Sequence, residues 1–285
     1  MSLYLYGLYT LLPTVIFKNR LRDDRKANNT KQMIDIRLSD NLELMAEMQD
    51  NTVDLIYCDI LYGTGRKFKD YQDLKPKREV IEEHYVPRIK EMHRILKDTG
   101  SIYLQMDTRI NHWVRCIMDD FFGYDNFLNE ISWCYTMPNA QKYSFKKQHD
   151  VILFYKKKSN IFNIQRIPYK SGLHHNCNNF KYSTPVTPEI KAEKERKGKA
   201  LEDWWVDIYP INPASKERNY NTKKPKALIE RIIKASSNEG DLVADFYAGS
   251  FTTAEVCKDL NRNFIGCDIS EKAVQIGHAR VSGGF

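Results

Sequence analysis

The sequence predicts an α/β domain built on a mainly parallel sheet, and three observations carry that prediction. Short apolar runs recur at residues 53–58, 101–106, 241–245 and 263–268. Segments with apolar residues at helical spacing separate them, which is the alternation of a βαβ architecture. The run Val53-Asp54-Leu55-Ile56-Tyr57-Cys58 is nearly continuous rather than alternating, as expected of a strand covered on both faces.

The elements come in the following order. Asp40 with Glu43 three residues on has capping-box spacing, and Leu42, Met45, Ala46 and Met48 mark a helical face behind it. The strand at 53–58 stops at Asp59, before the turn-forming Gly63-Thr64-Gly65. A helix is predicted over 79–97, with Ile81, Tyr85, Ile89, Met92 and Leu96 on one side, a kink near Pro87, and Gly100 as its end. The strand 101–106 and a helix carrying Ile110, Trp113, Val114, Ile117, Met118 and Phe121 come next. Later, Leu228, Ile229, Ile232 and Ile233 lie behind Pro225 at helical spacing. Strand 241–245, a small-residue turn, a helix with Val256, Cys257 and Leu260, and strand 263–268 complete the pattern.

Composition narrows the class. The 285 residues carry 44 Lys+Arg against 37 Asp+Glu, 13 Gly and 10 Pro, which excludes low-complexity and collagen-like chains. Six cysteines without a C-x-x-C pair argue against a zinc ribbon, a thioredoxin-like site or a disulfide scaffold, and point to a reducing, cytoplasmic setting. Residues 1–17 are apolar but interrupted by Gly7 and Pro13 and lack a basic leader; the expectation is a packed extension, not a signal peptide or membrane span. A polar linker runs from there to Lys31. His174-His175-Asn176-Cys177 has no second ligand pair at useful spacing, so no metal is expected.

The middle of the chain breaks the rhythm. Residues 135–205 hold fourteen Lys/Arg and six Asp/Glu, a surplus of eight, whereas the whole chain carries +7. Lys142, Lys146, Lys147, Lys156, Lys157 and Lys158 alternate with Tyr143, Phe145, Phe154 and Tyr155. A basic, aromatic insert of this kind is expected to contact nucleic acid.

Two turns carry chemistry. Asp245-Phe246-Tyr247-Ala248-Gly249-Ser250-Phe251-Thr252-Thr253 joins a strand to a helix, and the next strand ends in Asp268. Small residues there admit a ligand to the backbone, and the second acid suits ribose hydroxyls. Asp59-Ile60-Leu61-Tyr62 ends a buried strand, where open α/β sheets place ligands; an acid, a carbonyl and an aromatic ring together suit an extruded base.

With these residues in hand the chain resembles the beta class of amino-group DNA methyltransferases of restriction–modification systems. Asp59-Ile60-Leu61-Tyr62-Gly63-Thr64-Gly65, with Phe68, Tyr71 and Asp73, is similar to D-P-P-Y-N-T-G and a subsequent F-x-Y-x-D. His93-Arg94-Ile95-Leu96-Lys97 before Gly100-Ser101-Ile102 also matches. So does Asn221-Thr222-Lys223-Lys224-Pro225, similar to P-T-Q-K-P, and residues 245–253 are similar to D-P-F-x-G-S-G-T-T. The similarity runs from Arg37 to Arg280 in the family's motif order.

The resemblance implies an AdoMet-dependent methyltransferase fold, Rossmann-like, with a mainly parallel seven-stranded sheet flanked by helices. It divides the chain into an extension and linker (1–31), a base-binding part (32–134), a target-recognition insert (135–205) and an AdoMet-binding part (206–285). Asp59 and the Ile60 carbonyl would hold adenine N6, with Leu61 completing the motif and Tyr62 stacking on the flipped ring. S-adenosyl-L-methionine would meet Asp40 at its adenine and Asp268 at its ribose. Cys58, Thr222, Lys224, Pro225, Asp245, Tyr247, Ala248, Gly249, Ser250 and Thr252 would line the rest of its site. The six lysines named above would meet double-stranded DNA. A cognate restriction endonuclease and a homodimer are the partners that accompany the resemblance, with no membrane.

Departures from the motifs leave alternatives open. Ile60 and Leu61 replace both prolines, Phe246 a third, and Phe251 a glycine. Loss of the prolines is expected to loosen the base-binding carbonyl, and Phe251 to crowd the cofactor or demand a backbone conformation that Phe resists. An adenine-N6 enzyme, an impaired relative that still binds DNA, and a cytosine-N4 enzyme all remain at this point.

Overall fold

The computed structural model describes residues 32–67, 72–136, 141–168, 187–212 and 223–283. The N-terminal extension, Phe68, Tyr71, the 174–177 cluster, Asn221 and Thr222 lie outside the described residues.

Strand β1 (Ile34–Leu38) leads into α1 (Asn41–Glu47), capped by Asp40, whose carboxylate accepts from the Leu42 amide. Strand β2 (Val53–Asp59), helix α2 (Arg78–Ile95) and strand β3 (Leu96–Met106) form a βαβ unit whose two strands pair in parallel. Pro87 sits inside α2, and the helix ends at Ile95 instead of 97; Gly100 lies within β3 and ends no helix. After helix α3 (Asn111–Phe122) comes the antiparallel pair β4 (Phe127–Cys134) and β5 (His149–Lys156). Then come β6 (Arg166–Ile167), α4 (Pro188–Lys197), β7 (Lys199–Ala200) and β8 (Trp204–Trp205). Helix α5 (Lys226–Ser236), β9 (Leu242–Asp245), α6 (Thr252–Asp259), β10 (Asn263–Asp268) and α7 (Glu271–Ser282) close the order.

The main sheet runs β1-β10-β9-β2-β3-β5-β4-β8. Its first five strands are parallel; β5 is antiparallel to both neighbours. The fold class is therefore the predicted one, with eight strands because the short β8 adds to the edge of β4. Helices α1, α2 and α3 pack beside one another, as do α5, α6 and α7, and two buried apolar clusters accompany these two sets.

One boundary needs correction. The stretch 135–205, expected as a single insert, contributes β5 to the middle of the sheet, with residues 150–155 buried. Val151-Ile152-Leu153-Phe154-Tyr155 is an unbroken apolar run bounded by charge, and the lysine excess around it masks it in the sequence.

Strands β9 and β2 are adjacent and parallel, pairing Leu55 with Val243 and Ile56 with Ala244. Their chain connections leave in opposite directions, so a crevice opens at their carboxyl ends, as at the switch points of doubly wound sheets. Asp59 ends one strand and Asp245 the other, which brings both sequence motifs to one place.

Candidate active site

The crevice is a cleft of about 1050 Å³. Asp40, Asp59, Ile60, Leu61, Tyr62, Lys224, Pro225, Asp245, Tyr247, Ala248, Gly249, Ser250, Thr252 and Asp268 all line it. Its wall also holds Tyr57, Asp73, His84, Arg88, Tyr135 and Asp150; of these, the sequence motifs point only to Asp73.

The Asp59-Ile60-Leu61-Tyr62 turn is anchored at each step. The Ile60 amide donates to the Gln105 carbonyl at 3.0 Å, and the Leu61 carbonyl accepts from the Tyr85 hydroxyl at 2.9 Å. Buried Asp73 gathers the next residues: its carboxylate accepts from the amides of Gly63 (3.1 Å), Thr64 (2.7 Å) and Leu74 (2.8 Å), and from the Thr64 hydroxyl. Gly63 has φ +63°, and a Cβ there would lie 2.6 Å from Ile110 Cγ2, so only glycine fits this corner. Hydrogen bonds thus supply the order that the missing prolines were expected to provide. A proline at 60 could not make the first of them.

Above the turn, two carboxylates share one cation and one phenol. Lys224 Nζ donates to Asp59 Oδ2 at 2.6 Å and to Tyr62 Oη at 2.8 Å, and stands 4.9 Å from the Tyr62 ring centre. Tyr62 Oη lies 2.9 Å from Asp59 Oδ1 and 2.6 Å from Asp150 Oδ2, so its single proton serves one acid at a time. Asp150 also accepts from Tyr135 Oη at 3.0 Å and Gln105 Nε2 at 2.8 Å, and Gln105 Oε1 accepts from Tyr57 Oη at 2.8 Å. Burial raises the Asp59 carboxyl above its ordinary range, and the Lys224 ammonium opposes the rise. Burial also pushes the Tyr62 phenol well up, with Asp59 and Asp150 adding to it.

The second motif combines hydrogen bonds with packing. Asp245 is buried; its carboxylate accepts from Thr253 Oγ1 at 2.6 Å and the Tyr247 amide at 3.1 Å, and burial raises it to about 7. Asp268 accepts from the Gly249 and Ser270 amides at 2.9 and 2.8 Å, tying the turn to β10. Arg88 links the Asp40 carboxylate (3.2 Å) to Asn41 Oδ1 (2.7 Å) at the far end of the cleft. His84 Nε2 meets Tyr247 Oη at 3.0 Å; burial, with the Arg88 charge, lowers its imidazole to about 4, so it is neutral at neutral pH.

Phe251 overturns one expectation and fulfils another. It does adopt the left-handed conformation, φ 55° and ψ 36°, at the start of α6. Its ring, however, does not crowd the cleft. It is fully buried against Gly277 of α7 and edge-on to Phe264. A Cβ at Gly277 would lie 2.7 Å from the ring.

Two further corrections concern predicted site residues. Cys58 is buried and does not line the cleft; its sulfur accepts from the Phe246 amide at 3.4 Å. Lys156, Lys157 and Lys158 stand at the other end of β5 from Asp150, six strand residues or about 20 Å away. Lys157 is buried, with Nζ on Asn51 Oδ1 and the Leu96 carbonyl, both at 2.8 Å, and Lys158 pairs with Asp98 at 2.8 Å. They hold the back of the sheet and do not face the cleft. Lys142 and Lys147 are exposed on the 141–148 loop, with Lys146 beside them, and the strand ends that flank this loop, at Tyr135 and Asp150, line the cleft. Lys224, expected beside the cofactor, does line the cleft, and there its ammonium stands on Asp59.

The residues suit a cationic, nucleoside-sized ligand. Six aspartates line the cleft against Arg88, Lys223 and Lys224, small residues expose the turn backbone, and the volume matches ligand clefts in general. An open α/β sheet with such a cleft at its switch point places a ligand where doubly wound, nucleotide-handling folds do. The sequence profile of the N6/N4 DNA methylase family matches residues 53–279, and the chain belongs to that family. It is 29% identical over 250 residues to the Type II methyltransferase M.HpaI of Haemophilus parainfluenzae, spanning 87% of this chain and 74% of that protein. It is also 29% identical over 263 residues to the DNA adenine methyltransferase YhdJ of Escherichia coli (strain K12), with 90% and 84% covered. In fold it is similar to the M1.HpyAVI–SAM complex, with TM-score 0.56, 21% identity, and 87% and 99% covered.

Proposed function

We propose that this DNA methylase transfers a methyl group from S-adenosyl-L-methionine to adenine N6 of a base extruded from double-stranded DNA. The observation that carries the reading is the meeting of Asp59-Ile60-Leu61-Tyr62 and the Asp245–Thr253 turn in one cleft, on adjacent parallel strands. M1.HpyAVI, similar in fold, was solved with S-adenosylmethionine, and YhdJ is described as an adenine enzyme.

The cofactor supplies an electrophilic methyl group. Asp40, Asp268 and the turn at 247–250 would hold it, with the acid-rich wall favouring its sulfonium charge. Asp59 accepts a hydrogen bond from the N6 amino group, which turns the nitrogen lone pair toward the methyl carbon, and Tyr62 supports the ring by stacking. Orientation does most of this work. Lys224 occupies Asp59 Oδ2 with the hydrogen-bonding chemistry of an amine, so an incoming amino group displaces it from that oxygen. The proton released on methylation then has Asp59 as its nearest acceptor. Ile60, Leu61 and Phe251, which left activity open in the sequence, are accommodated, and this supports the active reading over the impaired one.

The Type II relatives further support a cognate restriction endonuclease reading the same site. A homodimer and a cytoplasmic location complete the proposal; no helix among the described residues is long and apolar enough to cross a membrane. The exposed lysines Lys142 and Lys147, with Lys146, form the phosphate-contacting part of the recognition region, which is otherwise assigned to residues 159–205.

The test is transfer of labelled methyl groups to mixed-sequence duplex DNA, with nucleoside analysis of the product. N6-methyladenine is expected. N4-methylcytosine as the product would replace adenine by cytosine, and no incorporation by protein that binds the cofactor would restore the impaired reading. Light scattering checks the dimer.

A further inference from the structure

The 141–148 loop presents a feature that phosphate binding does not use. Tyr143 is 95% exposed and Phe145 98%, the two most exposed large apolar side chains among the described residues. The loop springs from the β4–β5 hairpin. Cys134 pairs with His149, and the Tyr135 amide donates to the Gln148 carbonyl at 2.9 Å, closing its base. Both stems end in the cleft: Tyr135 and Asp150 line it and are bonded to each other at 3.0 Å. The rings therefore belong to a loop anchored at both ends in the wall of that pocket.

Their surroundings select the occupant. Lys142, Lys146 and Lys147 flank the rings within six residues, and no acid occurs from Tyr135 to His149. A surface that is cationic and aromatic together suits a polyanion with flat apolar faces, which a nucleic acid supplies and an acidic protein does not. Extruding a base leaves a gap in the stack beside the cleft, and apolar side chains are suited to entering such steps.

We propose that Tyr143 and Phe145 form a wedge that enters the duplex stack and fills the gap left by the extruded base, with the neighbouring lysines on the phosphates. This rests on the methyltransferase reading above and deepens it.

The experiment titrates the full chain with labelled mixed-sequence duplex, intact or carrying one abasic site. A wedge binds the abasic duplex more tightly, because the gap already exists. The Tyr143→Ala/Phe145→Ala double variant is expected to lose that preference and about tenfold or more in affinity. Phe145→Trp is expected to keep the preference, with its emission quenched by stacking. Lys142→Gln/Lys147→Gln should weaken both duplexes alike and flatten the salt dependence. Both rings are exposed, so an unchanged melting temperature and cofactor affinity separate wedge loss from misfolding. Retention of the abasic preference by the double alanine variant overturns the wedge, as does its absence in the wild type. A wild type that binds neither duplex and transfers no methyl group overturns the methyltransferase reading itself.

Discussion

The two strand-end turns of the cleft both depart from their family motifs and keep their shape by different means. The Asp59 turn lacks prolines and is held by polar anchors: the Gln105 carbonyl, the Tyr85 hydroxyl and the Asp73 carboxylate. The Asp245 turn is also bonded, through Asp245 to the Tyr247 amide and Asp268 to the Gly249 amide, but it lacks a glycine, and the Phe in its place is accommodated by packing its ring into a socket on α7. The difference teaches that a motif is one solution to a geometric requirement. At the first turn hydrogen bonds stand where prolines were expected; at the second the added volume of Phe251 is turned into the core, away from the cleft.

The comparison can be broken at its packed end first. Phe251→Gly restores the family residue, yet it should destabilise. Removing a buried Phe costs about 3–5 kcal/mol, and relief of the left-handed backbone returns about 1–2 kcal/mol. Urea denaturation should show a net loss, and a gain would mean the ring contributes no packing. Gly277→Val attacks the same contact from the other side, with an expected overpacking cost of about 1–3 kcal/mol.

At the polar end, Asp73→Ala strands amides that cost about 1–3 kcal/mol each when buried. Methyl transfer should fall tenfold or more while cofactor affinity holds, because Asp73 touches only the base-side turn; equal loss of both would merge the two turns into one unit. Ile60→Pro, which restores another family residue, removes one hydrogen bond worth about 1 kcal/mol. It should lower the melting temperature slightly and rescue nothing.

Two smaller effects are read in pH. On the proposed function Asp59 must be ionised to accept an amine; burial raises its carboxyl and Lys224 lowers it. Lys224→Met should therefore move the acid limb of the rate profile to higher pH, and an unmoved limb would detach Asp59 from it. Asp245 is raised in the fold from 3.8 to about 7, so the native state holds its proton more tightly than the unfolded chain. Its contribution to stability is fullest below about pH 4 and declines as pH rises toward 7. The melting temperature of the wild type relative to Asp245→Asn should fall across that window.

Much of this architecture is legible in the sequence because it is local. Apolar runs, a capping aspartate and the order of motifs need no distant partner to be recognised. The features that escape are those that depend on one. Strand β5 is hidden by the charge around it. Whether Phe251 faces the ligand or the core is decided by Gly277, on another helix. Lys224 reaches Asp59 across 165 positions, and no spacing rule announces such a meeting. Asp150 heads a buried strand, and an acid there is a usable signal once the strand is seen.

The Phe251 ring and the missing side chain of Gly277 are two halves of a single volume. Substitution scans at either site alone will score both as intolerant, although the constraint is on their sum. A paired library, small at 251 and larger at 277, is the one in which sequences nearer the family motif should reappear, and relatives of this chain are best compared by that pair.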